Sequence, residues 1–220
     1  MKSLVIFDLD GTLLNTIDDL GDATNYALRK AGYPEHSLSA YPFYVGNGVS
    51  RLLERVLPED ARSQRNIERL KASFMEYYDV HNTDKTVPYP GIPQLLESLS
   101  RMGVQMAIAS NKYQAAVDKL IRHYFGSFRW AAICGQKDDV PVKPDPSIVF
   151  NILSQVPTPK ADVLYAGDSG VDMETARRAC VDSVGVTWGF RPLKELREYH
   201  ADHIVSRPVE ILSLLGEKQL

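Results

Sequence analysis

The spacing of hydrophobic positions changes character along this chain, and the changes divide it into two kinds of structure. Leu4-Val5-Ile6-Phe7 is a short continuous apolar run of the kind that forms a strand buried on both faces. From Ile17 through Leu20, Ala23, Ala27, Leu28 and Ala31 the apolar positions recur at helical spacing, until Gly32 and Pro34 interrupt them. Val49, Leu52, Leu53, Val56 and Leu57 form an i, i+3, i+4, i+7, i+8 stripe just after Gly46-Asn47-Gly48, closed by Pro58. A weaker helical pattern through Ile67, Leu70, Phe74 and Tyr77 runs to about Val80. Three helices without an intervening strand do not belong to a βαβ series. The stretch Asn82 to Gly91 contains Pro88, Pro90 and Gly91, has no periodicity, and reads as a return linker.

Beyond it, helix and strand patterns alternate. Leu95, Leu96, Leu99 and Met102 predict a helix ended by Gly103, followed by a strand over Val104 to Ala109. A helix through Val117, Leu120, Ile121 and Phe125 precedes the apolar run Trp130 to Cys134, and one from Pro146 to about Gln155 precedes the strand Val163 to Ala166. A helix from Met173 to Cys180 leads to a strand over Ser183 to Thr187; Ile204-Val205 and a helix over Val209 to Leu215 close the series. The expected fold is therefore α/β, a Rossmann-like parallel sheet with helices on both faces. Residues 1–14 and 85–220 form this core, and residues 15–84 form a small all-α domain inserted after strand 1.

Composition narrows the function classes without altering that picture. The chain has 220 residues, 44% of them hydrophobic, and a net charge of −3. No basic stripe is present to follow a phosphate backbone, so nucleic acid is not an expected partner. Cys134 and Cys180 lack the companions of a zinc or redox site, which fits a reducing cytosol. No leader-like segment and no long apolar run occurs, so a cytoplasmic protein off the membrane is expected. The sequence carries no pattern that specifies an oligomeric state.

The candidate chemistry gathers at the carboxyl ends of the predicted strands, where open α/β sheets bind ligands. Asp8 and Asp10 follow the first strand, and strand alternation puts them on one side, with Gly11 turning the chain. Ser110-Asn111-Lys112 follows the strand ending at Ala109; there Ser110 reads either as a helix N-cap or as part of a phosphate site at a helix N-terminus. Lys143 precedes Pro144-Asp145-Pro146, in which Asp145 has the look of an N-cap and Pro146 of a first helical residue. Gly167-Asp168-Ser169-Gly170-Val171-Asp172 follows the strand ending at Ala166; Asp172 is equally readable as the N-cap of the helix from Met173. Several carboxylates in one crevice repel unless a cation compensates, and an all-oxygen ligand set favours a hard metal such as Mg²⁺.

These four segments, in this order, resemble the four motifs of the haloacid dehalogenase (HAD) superfamily. The helical insertion, with Tyr44-Val45-Gly46-Asn47-Gly48, Leu53 and Arg55, is similar to the cap of the phosphoglycolate phosphatase-like subgroup. Asn15 stands where that subgroup usually has an acid, and Ser110 where it often has threonine. The resemblance implies a Mg²⁺-dependent phosphatase acting on a small phosphorylated metabolite, with 2-phosphoglycolate the best single substrate. It implies Asp8 as nucleophile and Asp10 as general acid and base. Ser110, Asn111 and Lys143 are implied to bind phosphoryl oxygens. Asp8, the Asp10 carbonyl and Asp168 are implied to hold the metal, with Asp172 orienting ligands or pairing with Lys143. Asn47, Arg51 and Arg55 are candidates for the leaving group because they lie at or just after the glycine turn, and arginine suits a carboxylate; the arginines read equally as the solvated face of a helix, and Arg191 is a further candidate. Asp10 and Asp168 argue against a haloacid dehalogenase proper, and the lack of lysine in residues 41–57 against a phosphonate hydrolase. A pyrophosphatase or phosphosugar mutase shares all four motifs. A non-catalytic binding protein on this scaffold should have lost its aspartates, and these are intact.

Overall fold

The computed structural model describes residues 2–138 and 140–216. In chain order the elements are β1 (Leu4–Phe7), β2 (Leu14–Asn15), α1 (Ile17–Ala31), α2 (Tyr41–Tyr44), α3 (Val49–Val56), α4 (Gln64–His81), β3 (Val87–Pro88), α5 (Ile92–Arg101), β4 (Gln105–Tyr113), α6 (Gln114–Phe125), β5 (Ala132–Gln136), α7 (Ser147–Gln155), β6 (Val163–Gly167), α8 (Gly170–Ala179), β7 (Asp182–Val186), α9 (Leu193–Glu198) and β8 (His203–Val205), with a 3₁₀ turn over Pro208–Leu215. Six strands form one parallel sheet in the order β5-β4-β1-β6-β7-β8. The chain leaves β1 for β4 on one side and returns to β6 on the other. The crevice beyond β1 is thus the point where strand order reverses, the place where such sheets bind ligands.

Strand alternation explains why β1 is apolar throughout. Val5 and Phe7 face one side, packing with Leu95, Leu96, Leu99, Val117 and Leu120 from α5 and α6. Leu4 and Ile6 face the other, against Ile148, Val149 and Ile152 of α7 and Ala176 and Ala179 of α8. Burying a Leu, Ile or Phe contributes about 1.5–3 kcal/mol, so these two layers anchor the strand whose end carries Asp8. A third cluster, Leu20, Leu28, Leu53, Leu70, Phe74 and Tyr78, is formed almost wholly within α1 to α4.

Three expectations are corrected. Residues 82–91 are not a structureless linker: Val87–Pro88 pairs antiparallel with Leu14–Asn15, and buried Asp19 accepts hydrogen bonds from the backbone N–H groups of Lys85 and Thr86 and from the Thr86 hydroxyl. The partners lie about seventy residues away in sequence, so no local periodicity could signal them. The strand expected to end at Ala109 runs on to Tyr113 with a register shift, and the next helix starts only at Gln114. Residues 110–112 look like a break because they are polar, yet all three are buried. The closing helix over Val209 to Leu215 is a 3₁₀ turn, begun by Pro208 and held by buried Ile211 and Leu215. Asn15 Oδ1 lies 3.4 Å from the Ile17 N–H at the start of α1. Among the described residues no helix is long and apolar enough to cross a membrane.

Candidate active site

Asp8 is the first residue beyond β1, its N–H still bonded to the Ala166 carbonyl of β6 at 2.9 Å. Asp168 follows β6 and Asp172 lies in the first turn of α8. Each of these three aspartates offers an oxygen within 4.8 Å of the others. Into the cluster reaches Lys143, with 2% of its side chain exposed: Nζ lies 2.9 Å from Asp8 Oδ1 and 2.7 Å from Asp172 Oδ1, and donates to the Ala109 carbonyl at 3.0 Å.

The loop chemistry that holds these groups differs from expectation in two places. Helix α8 begins at Gly170, so Ser169 is its N-cap and Asp172 its third residue. Asp172 Oδ2 accepts from the Ser169 N–H and hydroxyl, closing a capping box, which leaves Oδ1 for Lys143. The residue both caps the helix and pairs with the lysine. Helix α7 begins at Ser147 with Pro146 as its N-cap, one residue later than expected, and Asp145 Oδ1 accepts from the Ser147 N–H. Lys143 is placed instead by Asn111, whose Oδ1 accepts from the Lys143 N–H at 2.8 Å and whose Nδ2 donates to the Lys143 carbonyl at 3.1 Å.

The cluster carries an excess of buried negative charge. With all three carboxylates ionised, Lys143 leaves two negative charges uncompensated. Burial, with the charge of Asp172 added, pushes the Asp8 carboxyl up to about 7 against the pull of Lys143. Burial and the charges of Asp172 and Asp8 likewise push Asp168 well above the usual carboxylate range. Burial would lower the Lys143 ammonium, but Asp172 and Asp8 together hold it above its ordinary value. Such acids relieve their repulsion either by binding protons or by binding a divalent cation, and their hard oxygen donors suit Mg²⁺.

Asp10 stands apart from this cluster. The chain leaves strand geometry after Phe7 and Gly11 turns it with φ of 85°, so alternation does not carry through to Asp10. Its Oδ1 accepts from the Thr16 hydroxyl at 2.7 Å, and its Oδ2 from the ammonium of Lys112 at 2.9 Å. Lys112 is buried, with its Nζ 4.8 Å from the ring centre of Tyr78 in α4. Sequence reading gave Lys112 no role; the available signal was a lysine beside two candidate site residues after a buried strand. Ser110 is buried, and its hydroxyl accepts from the Lys112 N–H at 3.2 Å. Because α6 starts at Gln114, Ser110 and Asn111 do not sit at its N-terminus, as the sequence had allowed.

Asp8, Asp10, Ser110, Asn111, Lys112, Lys143 and Asp168 line one cavity beyond the strand ends. The sequence matches the profile of the haloacid dehalogenase-like hydrolases over residues 5–186. The chain belongs to this family. Among similar proteins, phosphoglycolate phosphatase of Pseudomonas syringae pv. tomato is 32% identical over 208 residues, 89% of this chain and 74% of the relative. Phosphoglycolate phosphatase of Aquifex aeolicus is 30% identical over 212 residues, 96% of each chain. The crystal structure of a provisionally named phosphoglycolate phosphatase from Lactobacillus delbrueckii subsp. bulgaricus superposes with a TM-score of 0.91 at 31% identity, covering 98% of this chain and 99% of the other.

In this haloacid dehalogenase-like hydrolase the helices between β1 and β4 contribute Leu20, Val45, Gly46, Gly48, Val49 and Leu52 to the lining of the cavity. None of the three residues expected to face the leaving group is among the lining. Arg51 is exposed and pairs with Glu54 at 2.6 Å. Arg55 donates to the Tyr44 carbonyl at 2.8 Å and to Asn47 Oδ1, so these two side chains hold the loop between α2 and α3. The amphipathic stripe explains this: Leu52, Leu53 and Val56 turn inward, and the arginines are left on other faces of α3. Arg191, from the loop after β7, does line the cavity.

Proposed function

We propose that this protein is a Mg²⁺-dependent phosphomonoester hydrolase working through an aspartyl-phosphate on Asp8. One observation carries the reading: two aspartates with unlike partners line a single cavity. Asp8 lies against Lys143 among acids, and Asp10 is held separately by Thr16 and Lys112. That separation suits division of labour between a nucleophile and a proton carrier.

In the first step an Asp8 oxygen attacks phosphorus, forming the acyl phosphate as the ester P–O bond breaks, and Asp10 gives its proton to the departing alkoxide. In the second, Asp10 takes a proton from water, which attacks phosphorus and releases phosphate and the Asp8 carboxylate. Ser110, the Asn111 backbone and Lys143 bind the equatorial oxygens, where transferring charge must be stabilised in place. Asp8, the Asp10 carbonyl and Asp168 would hold Mg²⁺, with Asp172 fixing Lys143 beside them. When bound, Mg²⁺ supplies positive charge that lets a phosphate dianion approach three carboxylates. Residues 15–84 act as a cap that excludes water during the first step and admits it for the second.

The substrate reading is 2-phosphoglycolate, supported by the names of relatives about 30% identical over most of the chain. Apolar Leu20, Val45, Val49 and Leu52 line the side of the cavity facing the phosphoryl-binding residues, which favours a small leaving group. The test is a steady-state screen with Mg²⁺ of phosphoglycolate, pyrophosphate, sugar phosphates and nucleoside monophosphates, alongside Asp8→Asn. Phosphoglycolate should give the highest kcat/KM; a value at or below the panel median refutes the substrate, and pyrophosphate or a sugar phosphate leading would favour the neighbouring activities. Turnover by a pure Asp8→Asn preparation near the wild-type rate refutes the covalent mechanism.

A further inference from the structure

The three cations of the cavity are not equivalent. Lys143 is committed to Asp8 and Asp172, and Lys112 to Asp10. Among the described residues Arg191 makes one hydrogen bond, from Nη2 to the Val45 carbonyl at 2.8 Å, and one long ion pair, from Nε to Glu195 at 3.9 Å. A guanidinium has five N–H donors, so most of its capacity stays open towards the cavity it lines. Its surroundings on the cap side are the apolar Val45, Val49 and Leu52, where an anion finds no other donor of comparable strength.

The position of Arg191 is also fixed relative to the reacting groups. The Phe190 N–H donates to Asp168 Oδ2 at 2.7 Å, and the Trp188 indole N–H donates to the Thr12 carbonyl at 3.0 Å. Between them Gly189 is pressed so close that an added Cβ would lie 2.2 Å from the Asp168 Cβ and 2.4 Å from the Gly11 carbonyl oxygen. The loop is therefore built onto both the Asp8–Asp10 turn and the Asp168 turn. An arginine one residue further on has its base anchored to the core, whereas Arg51 and Arg55 ride on the helical insertion and are otherwise engaged.

We propose that Arg191 is the specificity-determining residue for the leaving group, binding a carboxylate on the far side of the ester oxygen while its bond to Val45 holds the cap loop over the site. The inference rests on the phosphomonoesterase reading above and deepens it: the substrate class is a small phosphomonoester with a carboxylate next to the ester carbon. A planar guanidinium can take such a carboxylate with two parallel hydrogen bonds, which an ammonium cannot match.

The test compares kcat/KM for 2-phosphoglycolate and ethyl phosphate, which differ by that carboxylate, in wild type, Arg191→Met and Arg191→Lys, with Mg²⁺ and with folding monitored by circular dichroism. Wild type should prefer phosphoglycolate. Arg191→Met should lose at least about tenfold more on phosphoglycolate than on ethyl phosphate, the size of a charged hydrogen bond. Arg191→Lys should recover part of that ratio. Equal losses on both substrates, in whichever variant folds, would mean that Arg191 only latches the cap and would overturn the proposal while leaving the hydrolase reading intact. A wild type that hydrolyses both esters equally well overturns the proposal and the phosphoglycolate assignment together. An enzyme inactive on both overturns the proposal and the phosphoglycolate assignment, and the hydrolase reading then stands or falls on pyrophosphate, the sugar phosphates and the nucleoside monophosphates.

Discussion

Replacing Lys143 by methionine isolates the charge balance on which the site depends. The ammonium ties Asp8 at 2.9 Å, Asp172 at 2.7 Å and the Ala109 carbonyl at 3.0 Å, with almost no exposure to solvent. Methionine keeps much of the apolar stem, so the loss is chiefly electrostatic. Removing one partner of a buried ion pair costs about 3–5 kcal/mol, because the remaining charge is stranded. Here the raised Asp8 and Asp168 carboxyls relieve part of that by taking up protons, which places the expectation near the lower end, about 3 kcal/mol at pH 8. Protons taken up in this way offset part of the lost positive charge, so the cluster becomes more negative by less than one unit; Mg²⁺, which displaces those protons, should still stabilise the folded variant more than it stabilises wild type. Urea denaturation at pH 8, in EDTA and in saturating Mg²⁺, measures both quantities. A loss under about 1 kcal/mol in EDTA, or an identical Mg²⁺ increment in the two proteins, would refute this account of the cluster. The variant's kcat should fall by at least about a hundredfold, since the phosphoryl oxygens lose a positive partner.

Lys112→Met should impair Asp10 rather than Asp8, so its loss should be greater on an alkyl phosphate than on p-nitrophenyl phosphate, whose leaving group needs no proton; Asp10→Asn should show the same bias, and equal losses on both substrates would contradict the proton-transfer role. Gly189→Ala forces a Cβ into the Asp168 side chain and the Gly11 carbonyl, and should cost about 1–3 kcal/mol in a thermal or urea melt while weakening Mg²⁺ binding by calorimetry. Asp202 is partly buried, which opposes its charge, but hydrogen bonds from the Ser183 N–H and hydroxyl hold its carboxyl below the ordinary 3.8. That stabilisation is present above pH 3.8 and lost as pH falls through the lower folded-state value, so Asp202→Asn should be less stable at neutral pH and show a shallower acid-side decline in urea midpoint; a decline parallel to wild type would exclude the effect.

The α/β alternation was legible because each core element carries its own periodicity. The four acidic or basic segments were legible because polar residues directly after buried runs have few structural reasons to be there. The errors lie where partners are distant. Asp19 meets Thr86, and Leu14–Asn15 meets the Val87–Pro88 strand, and nothing local in any of these segments marks the pairings. Residues 110–112 are polar and buried at once, which composition alone reads as a chain break. The motif order pointed to Asp172, but only the α8 capping geometry separated its two oxygens, one for Ser169 and one for Lys143.

The sequence by itself determined the parallel sheet and the run of helices between β1 and β4, and it marked polar residues that follow buried strands, because hydrophobic period and strand-end placement are properties of short segments. Tertiary structure alone decided which cations those residues meet and which arginine reaches the cavity. Arg51 and Arg55 stand in a segment that sequence order places near the site, yet the apolar stripe of α3 turns them elsewhere. Arg191 enters from a loop more than 180 residues beyond Asp8, because β7 lies beside β6 and its following loop packs on Asp168. Charge pairing depends on distance in space, and in a parallel sheet that distance is set by strand order rather than by position along the chain.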